Sequence, residues 1–138
     1  MNRNSRILFY PIIFVLFLSG FLNSCEKGPG EGGNSTIRGY VRMVDLSNQQ
    51  DTLEYDAFDQ DVYLIYGDDV SFSERTKTSF NGMFEFKYLR KGSYTVYVYS
   101  EDEFSTSGTR PVIEKLEINN RKQVVNTDTL FIYNYFGL

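Results

Sequence analysis

Apolar residues recur at every second position over most of the chain after residue 36, with no sustained 3.6-residue stripe, so the pattern predicts strands and no helix. Ile37, Gly39, Val41 and Met43 share one face of a first strand, with Arg38, Tyr40 and Arg42 opposite. Val62, Leu64 and Tyr66 are the inner set of a second. Ser73 to Thr78 is polar and Thr-containing, as suits a sheet edge. Asn81-Gly82 then predicts a type I′ hairpin turn, since both residues tolerate positive φ. Phe84 and Phe86 alternate with Glu85 and Lys87 just after it. Lys91-Gly92 gives the next turn, and Tyr94, Val96 and Val98 alternate with Thr95, Tyr97 and Tyr99. Val112 to Ile118, a turn at Asn119-Asn120, and Val124 to Tyr133 complete about seven strands. The expected fold is all-β, a single small Ig-like sandwich.

The amino-terminal segment follows a different rule. Arg3 and Arg6 precede Ile7 to Leu22, which is almost wholly apolar, the order of charge and hydrophobicity found in a secretory signal peptide. It ends Leu22-Asn23-Ser24-Cys25. Those four residues resemble the lipobox of bacterial lipoproteins, with Asn23 a mild departure at the middle position. The resemblance implies cleavage before Cys25, diacylglycerol on its thiol and acylation of the new amino end. The alternative is an uncleaved signal anchor. Residues 1–24 are thus expected to be a signal peptide and residues 25–35, rich in Gly, a lipidated Cys followed by a flexible tether. Residues 36–138 are the expected folded domain. Glu26, where Asp would favour inner-membrane retention, makes the outer membrane the expected location, with the facing side left open.

Composition narrows the chemistry. The chain has no His and one Cys, which removes imidazole-based nucleophile systems, imidazole zinc sites and internal disulfides. Its 14 Lys+Arg against 18 Asp+Glu include no basic block, so nucleic acid is an unsuitable partner. Signal cleavage removes two Arg and leaves a side-chain charge of −6, with 12 Lys+Arg against 18 Asp+Glu. Much of that charge lies in Asp45, Asp51, Glu54, Asp56, Asp59, Asp61, Asp68 and Asp69. Asp56, Asp59 and Asp61 are a weak candidate for Ca²⁺, because carboxylate oxygens suit it; the stretch nevertheless lacks the Gly and Glu spacing of an EF-hand and reads as a solvated loop. No catalytic residue and no cofactor is expected. Tyr40, Tyr63, Tyr97 and Tyr99 fall on the outward faces, where they could stack on sugars or simply pack across strands. The absence of Trp weakens the sugar reading. The apolar end, Leu130 to Leu138, reads as a closing strand, or as a docking strand for another protein.

Taken in order, Arg38-Gly39-Tyr40-Val41, Asp61-Val62-Tyr63-Leu64, Thr76-Lys77-Thr78, Asn81-Gly82-Met83-Phe84-Glu85-Phe86, Leu89 and Gly92-Ser93-Tyr94-Thr95-Val96-Tyr97-Val98 resemble the carboxypeptidase regulatory-like domain, a transthyretin-like (prealbumin-like) sandwich. The resemblance covers residues 36–100 well and 110–131 loosely. It departs at the long acidic connection 45–60 and at 101–110. It implies a non-enzymatic structural or interaction module. The expected protein is a lipid-anchored envelope lipoprotein, held by acyl chains on Cys25, whose partner is another envelope protein or, alternatively, a glycan.

Overall fold

The computed structural model describes residues 27–47 and 51–135. The signal segment, Cys25 and residues 136–138 lie outside them. No described residue is helical, and the strands form two sheets, as the period-two pattern requires. The elements are β1 (Glu31–Asp45), β2 (Leu53–Asp56), β3 (Asp61–Tyr66), β4 (Glu74–Lys77), β5 (Met83–Leu89), β6 (Gly92–Glu101), β7 (Thr109–Ile118), β8 (Val124–Asn126) and β9 (Leu130–Asn134).

The first sheet is organised around β1, which runs 15 residues and is hydrogen-bonded along both edges. On one edge it pairs antiparallel with β5 and then β2; on the other it pairs parallel with β8 and then β9. Val41 marks the change of neighbour, donating its N–H to Gly82 (2.8 Å) and accepting from Ala57 (3.0 Å). The second sheet has the order β4-β3-β6-β7, all antiparallel, and β4 takes the edge position its polarity predicts.

The alternation places the core where expected. Val62 and Leu64 of β3, Phe84 and Phe86 of β5, and Tyr94, Val96 and Val98 of β6 are buried. They meet Ile37 and Val41 of β1, with Leu130 and Ile132 of β9 closing the layer. At β1 the apolar face includes Gly39, where a Cβ would press on the Phe84 ring (2.9 Å) and collide with the Thr127 hydroxyl. Glycine is the only residue that lets the aromatic ring and the neighbouring strand come this close.

Three expectations need correction. Nine strands are described among these residues, against the expected seven. Residues 53–56 form an all-exposed strand that alternation could not reveal, and 124–133 divides at Thr127–Thr129 into β8 and β9. The Asn81-Gly82 step is not a hairpin turn, because β4 and β5 lie in different sheets. Only Gly82 of the pair has positive φ (73°); its N–H closes a turn on the Ser79 carbonyl (2.9 Å), and the chain crosses from one layer to the other. Finally, the Gly-rich stretch is not a free tether from 25 to 35. Residues 31–35 already belong to β1, and residues 28–31 are fastened to the domain by Arg90 and Tyr94. The folded unit therefore begins at least eight residues before 36.

Candidate functional site

The outer face of the four-stranded sheet carries a continuous aromatic cluster. Strand alternation sends Val62, Leu64, Val96 and Val98 inward, and so sends Tyr63, Tyr97 and Tyr99 outward. Register places Tyr63 opposite Tyr97, and Tyr97 opposite Ile113 of β7. The Tyr63 and Tyr97 rings stack at 4.9 Å with 13° between planes, while Tyr99 meets both edge-on at 5.8 and 5.6 Å. Phe72, from the β3–β4 connection, closes the group edge-on to Tyr63 at 5.1 Å. Tyr99 is 46% exposed, Phe72 49% and Ile113 56%, so the cluster presents a broad apolar surface to solvent. Burial within the cluster, with the Tyr99 and Tyr63 hydroxyls alongside, pushes the Tyr97 hydroxyl above its ordinary pKa. It therefore stays a neutral donor at physiological pH.

Of the four outward tyrosines predicted from sequence, the structure brings Tyr63, Tyr97 and Tyr99 together. Tyr40 is exposed but lies on β1, in the other sheet. Phe72 and Ile113 were not singled out: Phe72 sits in an irregular segment, and Ile113 joins the cluster only through the β6–β7 register.

The acidic stretch is organised differently. Asp45 accepts from the Ser47 N–H (2.9 Å) and hydroxyl (2.6 Å), which hold its carboxyl below the usual range. Arg42 pairs with Glu54 at 2.8 Å and Asp56 at 3.9 Å. Lys77 pairs with Asp59 at 2.8 Å, and Arg75 with Asp61 at 3.8 Å. Asp56, Asp59 and Asp61, the weak calcium candidate, are thus shared out among three cations on two sheets. Among the described residues no three acidic, Cys or His groups converge as a metal site would need. These exposed pairs contribute little to stability individually.

What fixes the path of this stretch is Thr78. Its buried hydroxyl donates to the Ala57 carbonyl (2.5 Å) and accepts from the Gln60 N–H (2.9 Å), and its own main-chain N–H bonds to the Gln60 carbonyl (2.9 Å). Thr78→Val keeps the shape but leaves the Ala57 carbonyl and Gln60 N–H without that partner. The expected loss is about 1–3 kcal/mol in urea unfolding, largely restored in Thr78→Ser. A Val variant as stable as the parent would show that water replaces the hydroxyl.

No protein-family model and no curated protein matches the chain. Among solved structures it is similar to a candidate carbohydrate binding protein from Pseudomonas aeruginosa, with a TM-score of 0.47 and 13% identity over 76% of this chain and 91% of the other. It is also similar to an (S)-allantoin synthase, with a TM-score of 0.42 and 11% identity over 74% of this chain and 43% of that one. Neither likeness is close enough to carry a functional argument.

Proposed function

We propose that this chain is a non-enzymatic, lipid-anchored module of the bacterial cell envelope that docks another envelope protein through the outer face of its four-stranded sheet. The observation that carries the docking reading is the exposed cluster of Tyr63, Tyr97, Tyr99 and Phe72, continued by Ile113. Tyrosine-rich apolar patches of this kind supply large contact area at low side-chain entropy cost, and they dominate binding energy at protein interfaces. The anchor rests on the charged start at Arg3 and Arg6, the apolar run Ile7 to Leu22 and the lipobox-like Leu22-Asn23-Ser24-Cys25. The likeness of residues 36–100 to a carboxypeptidase regulatory-like domain agrees with an interaction role, and the outer membrane is the proposed location.

Carbohydrate binding is the second reading, favoured by the same exposed rings. It is weaker because Tyr63 and Tyr97 stack on each other, which occupies a ring face that a sugar would need. A photoreactive residue at position 99 is expected to form one discrete protein adduct in the intact envelope. The same residue at position 40, on the opposite sheet, should form none. In binding to the captured partner, Tyr97→Ser is expected to weaken affinity about 30-fold, as for a hot-spot tyrosine, with stability changed by only about 0.2–1 kcal/mol for the lost cross-strand pair. Equal adducts at both positions would overturn the protein-docking reading. Glycan-array binding abolished by Tyr97→Ser would replace it with the carbohydrate one.

A further inference from the structure

The stretch after Cys25 is too short and too firmly held to act as a spacer. The Arg90 guanidinium donates to the carbonyls of Gly28 (2.8 Å), Pro29 (3.4 Å) and Glu31. The Arg90 main-chain N–H bonds to the Gly30 carbonyl (2.8 Å), and the Tyr94 hydroxyl accepts from the Gly30 N–H (2.9 Å) while donating to the Arg90 carbonyl (2.7 Å). The fit is close: a Cβ on Gly30 would come within 2.8 Å of the Arg90 side chain, and one on Gly92 within 2.8 Å of Pro29. Only Glu26 and Lys27 separate Cys25 from Gly28. A fully extended chain over that interval spans about 11 Å, little more than the headgroup layer of one leaflet, about 5–8 Å deep.

We infer that the sandwich stands end-on against the bilayer, with the β3–β4, β5–β6 and β7–β8 connections seated on lipid headgroups. This deepens the lipid-anchor reading and rests on it. Strand directions put these three connections at the end where Gly28 is clamped. That end carries Lys27, Arg90, Lys91, Arg121 and Lys122 against Glu31, Asp68, Asp69, Glu74 and Glu117, an even balance of charge. Lys27 and Lys91 line one shallow groove with Glu117 and Asn119. Val70, fully exposed at the tip of the β3–β4 connection, offers an apolar contact at the same level. At the far end the β6–β7 connection is acidic and holds no cation, with Asp102 and Glu103 immediately before an exposed Phe104. An anionic headgroup layer therefore favours the clamped end over the far one.

The test uses the full lipidated chain in phosphatidylglycerol–phosphatidylethanolamine vesicles carrying a headgroup-attached quencher. Because Cys25 is the one cysteine and its thiol would be acylated, a fluorophore reports only from an introduced thiol, Val70→Cys or Phe104→Cys. These sites lie about 30 Å apart along the ten-residue β6. Quenching is expected to be several-fold stronger at 70 than at 104. Ten Gly/Ser residues inserted between Lys27 and Gly28 are expected to reduce the difference without lowering the melting temperature. Equal quenching at both sites, on a chain shown to carry fatty acid, overturns the end-on arrangement alone. Absence of metabolically incorporated fatty acid from the parent chain, relative to Cys25→Ser, overturns the anchor reading and this inference with it.

Discussion

Replacing Phe84 with alanine is expected to remove about 3–5 kcal/mol of unfolding free energy, the usual range for a buried aromatic truncated to a methyl. Phe84 is buried at the centre of the sandwich, edge-on to Phe86 at 6.0 Å. Its ring lies over Gly39 of β1, so no neighbouring side chain on that strand can swing in to fill the void. A domain of this size is typically stable by about 5–15 kcal/mol, so the loss is a large fraction of the total. Urea unfolding followed by far-ultraviolet dichroism measures it. A change below about 1 kcal/mol would mean that the two sheets close over the gap, contrary to the close packing of protein interiors.

Gly33→Ala is expected to cost about 3 kcal/mol, at the upper end for overpacking, because the collision is with main chain. A Cβ there would run into the Leu89 carbonyl and come within 2.6 Å of the Arg90 nitrogen. The cause lies in the register: Glu31 and Ser35 both face Leu89, so β1 bulges around that residue with Gly33 at the closest approach. The variant should also free residues 28–31 from Arg90 and Tyr94. Amide exchange ought to accelerate at Gly30, while the protection of β6 and β7 is kept. Gly28→Ala is the control, since a Cβ at that position meets nothing within 4 Å. If Gly33→Ala were as stable as Gly28→Ala, the bulge would not be where the structure puts it.

The inner face of each long strand was legible because burial on one side of a pleated strand imposes a period of two. Val62 and Leu64, Phe84 and Phe86, and Tyr94, Val96 and Val98 are buried as that period requires. Sheet membership was not legible, since the same period serves whichever sheet a strand joins. This is why Asn81-Gly82 reads as a hairpin and turns out to be a crossing. Nor could β2 be seen, with Leu53, Glu54, Tyr55 and Asp56 all exposed and no inward set to reveal it. The glycines of 28–33 have the composition of a linker; what orders them is Arg90 and Tyr94, about 60 positions away. The candidate site divides in the same way. The outward parity of Tyr63, Tyr97 and Tyr99 follows from alternation, whereas the separation of Tyr40 and the recruitment of Phe72 depend on pairing and on an irregular connection.

The parallel pairing of β1 with β8 and β9 has a mechanical consequence. A pull on the amino end of β1, resisted at the carboxyl end of β9, draws adjacent parallel strands past each other lengthwise. In that geometry the bonds between them bear tension together, in shear, and none can be opened singly from an end. Peeling would need the force to enter at the other end of β1, where the chain continues into β2. A load that enters through Gly28 and leaves through the end of β9 therefore meets these strand pairs along their stiffest direction.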